Sequence, residues 1–105
     1  GLPPYSYQSL VHVEHRDAEQ ATKMLSFAVK AATAQADWPQ SVSVSDIVPR
    51  AVQKIAGKER YQVLLECISR NDLQAATEII QAQLNFQNKK IKGVGWYVER
   101  DPVQI

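Results

Sequence analysis

Basic side chains that can bind an anion are clustered in three places along the chain. The first cluster lies within eleven residues and has a tyrosine beside it; it consists of Arg50, Lys54, Lys58, Arg60 and Tyr61. The second consists of Lys89, Lys90 and Lys92. Cations neutralise phosphates and displace counterions, and an aromatic ring can stack on an unpaired base. These clusters are candidates for nucleic-acid binding; the alternative is a solvated loop and a charged edge that discourages aggregation.

The third place is the start of a predicted helix. Ser69 is the expected N-cap, so Arg70 lies in the first turn, where free N–H groups and the helix dipole already favour an anion. Gln74 lies one turn further on the same side of the helix. Together Arg70 and Gln74 predict a site for a peptide carboxylate or a phosphate. The alternative is a surface arginine and glutamine without a ligand.

The remaining reactive side chains form no recognisable catalytic or metal site. His12 and His15 fall on opposite faces of a predicted strand and cannot bind one metal as neighbours. The single cysteine, Cys67, makes no zinc motif and no internal disulfide, and a buried thiol in a reducing cytosolic compartment is expected. Gly93 and Gly95 lie in a predicted strand that no helix follows, so they are not a phosphate-binding loop. We expect a non-catalytic domain without catalytic residues, metal ligands or a cofactor of its own.

Length and charge are compatible with binding but do not select the ligand. The 105 residues predict one domain, and 12 basic against 11 acidic side chains leave a net charge of only +1. Clustering of charge is therefore more informative than its total. No apolar run approaches the roughly 20 residues that cross a bilayer, so no membrane partner is expected. The chain begins at Gly1 without methionine, which predicts a fragment of a longer protein.

The periodicity of apolar residues predicts an α+β domain. A strand over 7–15, a helix from the N-cap Asp17 to 36 and a short strand over 41–45 come first. Residues 46–58 are expected to form an exposed basic loop or an irregular hairpin. A strand over 61–68, a helix from Ser69 to 84, a polar connection and a strand over 91–99 follow. This βαββαβ order predicts a ferredoxin-like fold, in which a four-stranded, mainly antiparallel sheet carries two helices on one face.

The same patterns predict which side chains lie inside. His12 should point outward, away from the helices, together with Glu14. Gly95 and Gly93 should lie where another group packs closely against the backbone. The residues expected to form the core are Met24, Leu25, Val63, Leu65, Leu73 and Ile80.

Three blocks of sequence resemble one known family, the C-terminal domains of the bacterial primosomal replication-restart helicases, or PriA (primosomal protein N′). The first block is Gly1-Leu2-Pro3-Pro4-Tyr5-Ser6-Tyr7 with Glu14-His15-Arg16-Asp17. The second is Arg60-Tyr61-Gln62-Val63-Leu64-Leu65-Glu66 with Ser69-Arg70 and Leu73-Gln74, and the third is Val94-Gly95-Trp96-Tyr97-Val98-Glu99-Arg100-Asp101-Pro102. The blocks are in the family's order and cover essentially the whole chain. Glu99 and Arg100 stand where the family usually has Asp and Val.

The resemblance implies a partner set and a role. The full protein would be an ATP-dependent 3′-5′ DNA helicase of the cytoplasm and nucleoid, with its ATP, magnesium and zinc sites upstream. The terminal domain, similar in fold to a small-subunit ribosomal protein, would bind forked or single-stranded DNA. It would also contribute to the site for the acidic C-terminal tail of single-stranded-DNA-binding protein. Arg70 and Gln74 match the family's tail-binding residues, and other primosome proteins are further expected partners.

Two other functions stay open on the sequence. One is a docking module that positions the helicase core and does not bind DNA. The other is a stand-alone RNA-binding domain, although the sequence has no RNP-type aromatic pattern on a central strand.

Overall fold

The computed structural model describes residues 6–55, 57–90 and 92–100, with the side chains of residues 50–55 outside that description. Parts of the first and third resembling blocks, residues 1–5 and 101–102, also lie outside it. Two helices and five strands follow one another along the chain. They are β1 (Tyr7–His15), α1 (Ala18–Thr33), β2 (Ser43–Val44), β3 (Val48–Ile55), β4 (Lys58–Cys67), α2 (Arg70–Asn88) and β5 (Gly95–Arg100).

The sheet has β1 and β4 at its centre and is antiparallel at each described pairing. β1 lies between β4 and β5, and β4 pairs on its other edge with both β2 and β3. β2 lies beside Leu65 and Glu66, whereas β3 lies beside the first half of β4, from Lys58 to Gln62. The ferredoxin-like order is confirmed. The predicted strand count was four, and the sheet has five strands because its outer edge is assembled from two short pieces.

The segment predicted as a basic loop or irregular hairpin is a hairpin. β3 and β4 are joined through Gly57, whose φ of +79° is a conformation that glycine adopts without steric cost. Pairing therefore reaches Lys58, three residues before the predicted start of β4. The register shifts between Pro49 and Lys54, and Pro49 is tolerated because β3 lies at the edge of the sheet.

Both helices begin at their predicted N-caps. Asp17 Oδ1 accepts from the backbone N–H of Glu19 at 2.9 Å, and Ser69 Oγ accepts from that of Asp72 at 3.2 Å. The helix ends differ from prediction. α1 ends at Thr33 rather than 36, because the chain turns there to bury Trp38, which is 6% exposed. α2 continues to Asn88 rather than 84, since no glycine or proline interrupts the segment.

The core lies between the sheet and the two helices. Each of the six residues predicted to be inside is buried, and Cys67 is buried with them. The last strand starts at Gly95 rather than 91, because Gly93 adopts a φ of +78° in the turn before it. The expected close approach is confirmed at Gly95, where an added Cβ would lie 3.1 Å from Glu14 Oε1.

Candidate ligand-binding sites

Two opposite ends of the sheet carry the predicted binding residues. The start of β1, the start of α2 and the end of β5 meet at one end around a cleft of about 220 Å³. We call this the arginine cleft and define it by Tyr7, Ser9, Arg70, Gln74, Thr77 and Arg100. The sequence prediction that Arg70 and Gln74 lie together is thus matched by their common position on the cleft.

Arg70 is held against an aromatic ring at the wall of the cleft. Its guanidinium carbon lies 5.0 Å from the centroid of the Tyr7 ring, a cation–π distance. Tyr7 is itself packed against the core, so it forms a fixed support. The Ser69 cap places Arg70 at the first position of α2, where unpaired N–H groups lie nearby.

The floor of the cleft consists of polar side chains that form hydrogen bonds within the protein. Thr77 and Ser9 are 0% and 1% exposed. The Thr77 hydroxyl donates to the Leu73 carbonyl at 2.7 Å, and its oxygen lies 3.2 Å from Ser9 Oγ. These hydrogen bonds tie β1 to α2 beneath the cleft, so the two walls keep a defined separation.

Arg100 is a cleft residue that the sequence reasoning did not select. It pairs with Ser9 in the β1–β5 register, and it shares the face of Trp96 and Val98, which pack on the core. The signal was present in the alternation of β5, because every second residue after Val94 points to the helix side. Within the described residues, no carboxylate forms an ion pair with Arg70 or Arg100.

Lys58 of the first predicted cluster and the second predicted cluster both lie at the opposite end of the sheet. Lys58 opens β4 and lies beside the end of β1, where its Nζ is 3.7 Å from Glu14 Oε1. The α2–β5 connection reaches the same place, since His15 Nε2 is 2.9 Å from the Lys92 carbonyl oxygen. We call this region the basic end and define it by His15, Lys58, Lys89, Lys90 and Lys92. Arg16 directly follows β1 and is exposed.

His15 joins two connections at the basic end. The backbone N–H of Asp17 donates to His15 Nδ1 at 2.9 Å, and a carbonyl can only accept from Nε2. The imidazole therefore carries its proton on Nε2. In this form it links the β1–α1 turn to the segment that contains Lys92.

Other members of the first predicted cluster are placed differently. Arg60 has a side chain only 17% exposed, and its Nε lies 3.5 Å from Glu14 Oε2. Tyr61 lies on the helix face of the sheet, half-buried against the core. Arg50 and Lys54 belong to β3, and their side chains lie outside the described residues.

The sheet face away from the helices carries a small polar cluster. His12 was expected to point outward, and it does lie on this face, yet it is 3% exposed. The correction has a simple cause: the Tyr97 ring stacks on His12 with centroids 4.3 Å apart, and Glu99 Oε1 lies 3.1 Å from His12 Nε2. The one aromatic ring among the described open-face residues thus comes from the edge strand β5.

Glu66 lies on the same face near the arginine cleft. The Gln8 amide and the Ser6 hydroxyl donate to Glu66 Oε2 at 2.8 and 2.9 Å. These hydrogen bonds favour the ionised carboxylate, so they lower the pKa of Glu66, with Gln8 contributing most.

Within residues 6–55, 57–90 and 92–100, no three His, Cys, Asp or Glu side chains are grouped so that they could hold a metal ion. A helix that crosses a membrane must be both long and strongly apolar, and no described helix combines the two properties.

Comparison with known proteins identifies the domain. The family described as Primosomal protein N C-terminal domain matches residues 1–103. The chain belongs to this family. The resemblance carried by the three sequence blocks is therefore confirmed, and the domain has a primosomal, replication-restart role.

Solved structures agree on the fold. The de novo designed protein Foldit4 has a TM-score of 0.66 at 12% identity, over 95% of this chain and 100% of that one. A second designed protein, with a ferredoxin fold, has a TM-score of 0.62 at 8% identity, over 95% and 88% of the two chains. A hydantoinase/carbamoylase family amidase from Burkholderia ambifaria has a TM-score of 0.58 at 13% identity, over 90% of this chain and 27% of the amidase. At these identities the likeness concerns the fold alone.

Proposed function

We propose that this primosomal domain binds forked or single-stranded DNA through the basic end. The observation that carries the proposal is that Lys58 and the sequence-distant segment of Lys92 both lie beside the end of β1, at Glu14 and His15. Several lysines at one end of the sheet give a cationic surface, which suits the repeated phosphates of a nucleic-acid backbone. Lys58, Lys89, Lys90 and Lys92 are the proposed contacts.

Arg60 and Tyr61 contribute less to this proposal than their neighbours. The Arg60 charge is balanced by Glu14, and the position of Tyr61 against the core favours packing over stacking on a base. Arg50 and Lys54 remain candidates from the sequence alone. We do not propose an RNA-recognition surface on the sheet, because among the described residues the central strands carry no exposed aromatic ring on the open face.

Fluorescence anisotropy of a labelled fork and a labelled single strand tests this function. If about four phosphates are neutralised, raising salt from 50 to 200 mM should weaken binding to duplex arms by roughly a hundredfold. Lys58→Glu combined with Lys90→Glu should remove most of the affinity. The matched control is Lys23→Glu with Lys30→Glu, which reverses two charges on α1 instead. Absence of binding at low salt would favour the docking module.

We propose as a second function that the arginine cleft binds the acidic, carboxylate-ended tail of single-stranded-DNA-binding protein. Three features support it: Arg70 at a helix N-terminus, Gln74 one turn further, and a concave site between them and β1. An arginine can bind a carboxylate through two hydrogen bonds, and the local N–H groups add to the attraction. A chain end fits a cleft of this size better than a continuous polymer does.

Binding of a labelled tail peptide tests the second function. Arg70→Glu should lower the affinity of the domain for the peptide by tenfold or more. Amidation of the peptide's C-terminus should lower its affinity for the wild-type domain by a similar factor. Arg16→Glu is the matched control, since it reverses an exposed arginine at the other end of β1. Equal peptide affinity of the Arg70→Glu domain and the wild type would remove Arg70 from the site.

A further inference from the structure

Arg100 is the least expected member of the arginine cleft. It stands at the end of the edge strand β5, on the helix side of the sheet, and it lines the cleft opposite the helix start that carries Arg70. Two guanidinium groups consequently share one small concave surface in this chain.

The charges around the cleft favour a ligand with more than one negative group. Among the described residues, neither Arg70 nor Arg100 has a carboxylate at ion-pair distance. Two like charges on one cleft repel each other, and a ligand that brings a negative group to each gains two attractions and relieves that repulsion. A neutral or singly charged ligand satisfies only one of them.

Because the cleft is small, we expect Arg70 and Arg100 to contact different parts of a bound peptide. Its volume of about 220 Å³ is below the roughly 300–1,000 Å³ of sites that enclose a drug-sized molecule. It admits the end of a peptide, while the residues before that end must leave across the rim. Arg100 is an exposed residue of the cleft lining, at the end of a strand that pairs through one edge only among the described strands.

We infer that Arg100 binds an acidic side chain of the peptide, located before the terminal carboxylate that the proposed function assigns to Arg70. This inference rests on the proposed tail-binding function and assigns a second charge requirement to it. The ligand class is a peptide end that carries its own carboxylate and an aspartate or glutamate near it. Tyr7 fixes the first arginine, and pairing with Ser9 fixes the backbone of the second.

A double-mutant cycle between protein and peptide tests the assignment. The proteins are the wild-type domain, Arg70→Ala, Arg100→Ala and the control Arg16→Ala. The peptides are the labelled tail, its C-terminal amide, and a series in which each aspartate is replaced in turn by asparagine. Affinities are measured by anisotropy, and thermal melts verify that each variant is folded.

Arg100→Ala should weaken the unmodified peptide by about three- to tenfold, in the range expected of a charged hydrogen bond at an exposed site. One asparagine peptide should bind Arg100→Ala and the wild type equally, while amidation should still weaken binding to Arg100→Ala. Arg70→Ala should show the reverse pattern. Arg100→Lys, which keeps the charge, should recover part of the loss, and Arg16→Ala should stay within about twofold of the wild type.

The outcomes that contradict the inference are distinct from failure of the tail site. If Arg100→Ala binds all peptides as the wild type does, Arg100 is not a contact. If instead Arg100→Ala and the wild type bind the amidated peptide with equal affinity, both arginines bind the same carboxylate and the assignment is wrong. If the wild type does not bind the unmodified peptide, the proposed tail-binding function is wrong, and the inference about Arg100 fails with it.

Discussion

The two ends of the sheet carry positive charge in different forms. At the basic end the cations are exposed lysines after α2 and the half-buried Lys58 at the start of β4, which lies near Glu14. At the arginine cleft they are guanidinium groups around a concave surface with a buried, hydrogen-bonded floor. Lysine is a flexible point charge and arginine a planar fork. Similar charge can thus serve a long polyanion at one end and a single chain end at the other.

The distance between the ends is set by the central strand. β1 has nine residues, and at about 3.4 Å per residue its ends lie about 27 Å apart. Substitutions that far apart usually act independently. The two proposed sites are therefore expected to act independently, and each end can be tested with the other as its internal control.

The largest expected effect removes both ends at once. Leu65→Ala deletes most of a side chain that is 0% exposed and should lower the free energy of unfolding by roughly 2–5 kcal/mol through lost burial and a residual cavity. DNA and tail binding should then fall in parallel with the folded fraction, which urea denaturation measures. Ile68→Ala is the control, because Ile68 is 71% exposed. An unchanged midpoint for Leu65→Ala would contradict the packing of β4.

Crossed charge reversals separate the ends. Arg70→Glu should weaken the tail peptide by tenfold or more and leave DNA affinity within about twofold, because the reversed charge is far beyond the Debye length from the basic end. Lys90→Glu should do the opposite. Anisotropy with both ligands on both variants gives the four values needed. Equal losses in all four combinations would mean that the ends do not act as separate sites.

The His15 link should matter for the basic end alone. His15→Ala loses two hydrogen bonds, each contributing on the order of 1 kcal/mol to stability, and releases the segment of Lys92. We expect DNA affinity to fall about three- to fivefold with tail affinity retained. His15→Gln, whose amide can donate to the same carbonyl, should be intermediate. If His15→Ala binds DNA as the wild type does, the link does not position the lysines.

Glu14 sharpens the comparison from the opposite direction. It lies between Lys58 and Arg60 and offsets their charges. Glu14→Gln should raise DNA affinity about two- to threefold and steepen its salt dependence, while tail affinity stays constant. Glu19→Gln on α1 removes one negative charge away from these partners and is the control. A weakened DNA complex in Glu14→Gln would show that Glu14 orients the cations more than it opposes them.

The smallest effect concerns acid stability near the arginine cleft. The pKa of Glu66 is below its ordinary value of 4.5, so the ionised form stabilises the fold above the unfolded-state pKa. That contribution disappears as pH falls through the lowered folded-state pKa. Urea denaturation is repeated at a series of pH values. As the pH falls below about 5, the free energy of unfolding should decrease less for Glu66→Gln than for the wild type. Glu78→Gln is the control on α2, and identical acid slopes in all three proteins would contradict the role of Gln8 and Ser6.

Local chemistry made much of the frame predictable. The N-caps Asp17 and Ser69 and the apolar stripe of α2 are each encoded within a few residues, and each is found where expected. The β3 hairpin was only half predicted, because Pro49 and a shifted register obscure the alternation of an edge strand.

The sequence by itself determined the helix starts, the core side chains and the family. It also determined that Arg70 and Gln74 lie on the same side of α2. These features depend on residues that are close together in the chain. Tertiary structure alone decided that the segment of Lys92 contacts His15, that Tyr97 covers His12, and that Arg100 joins the cleft. These depend on strand order and register, which bring together residues far apart in the chain, such as His12 and Glu99, which are 87 positions apart. Contacts at that separation are set by the packing of the whole sheet, and short-range patterns do not encode them.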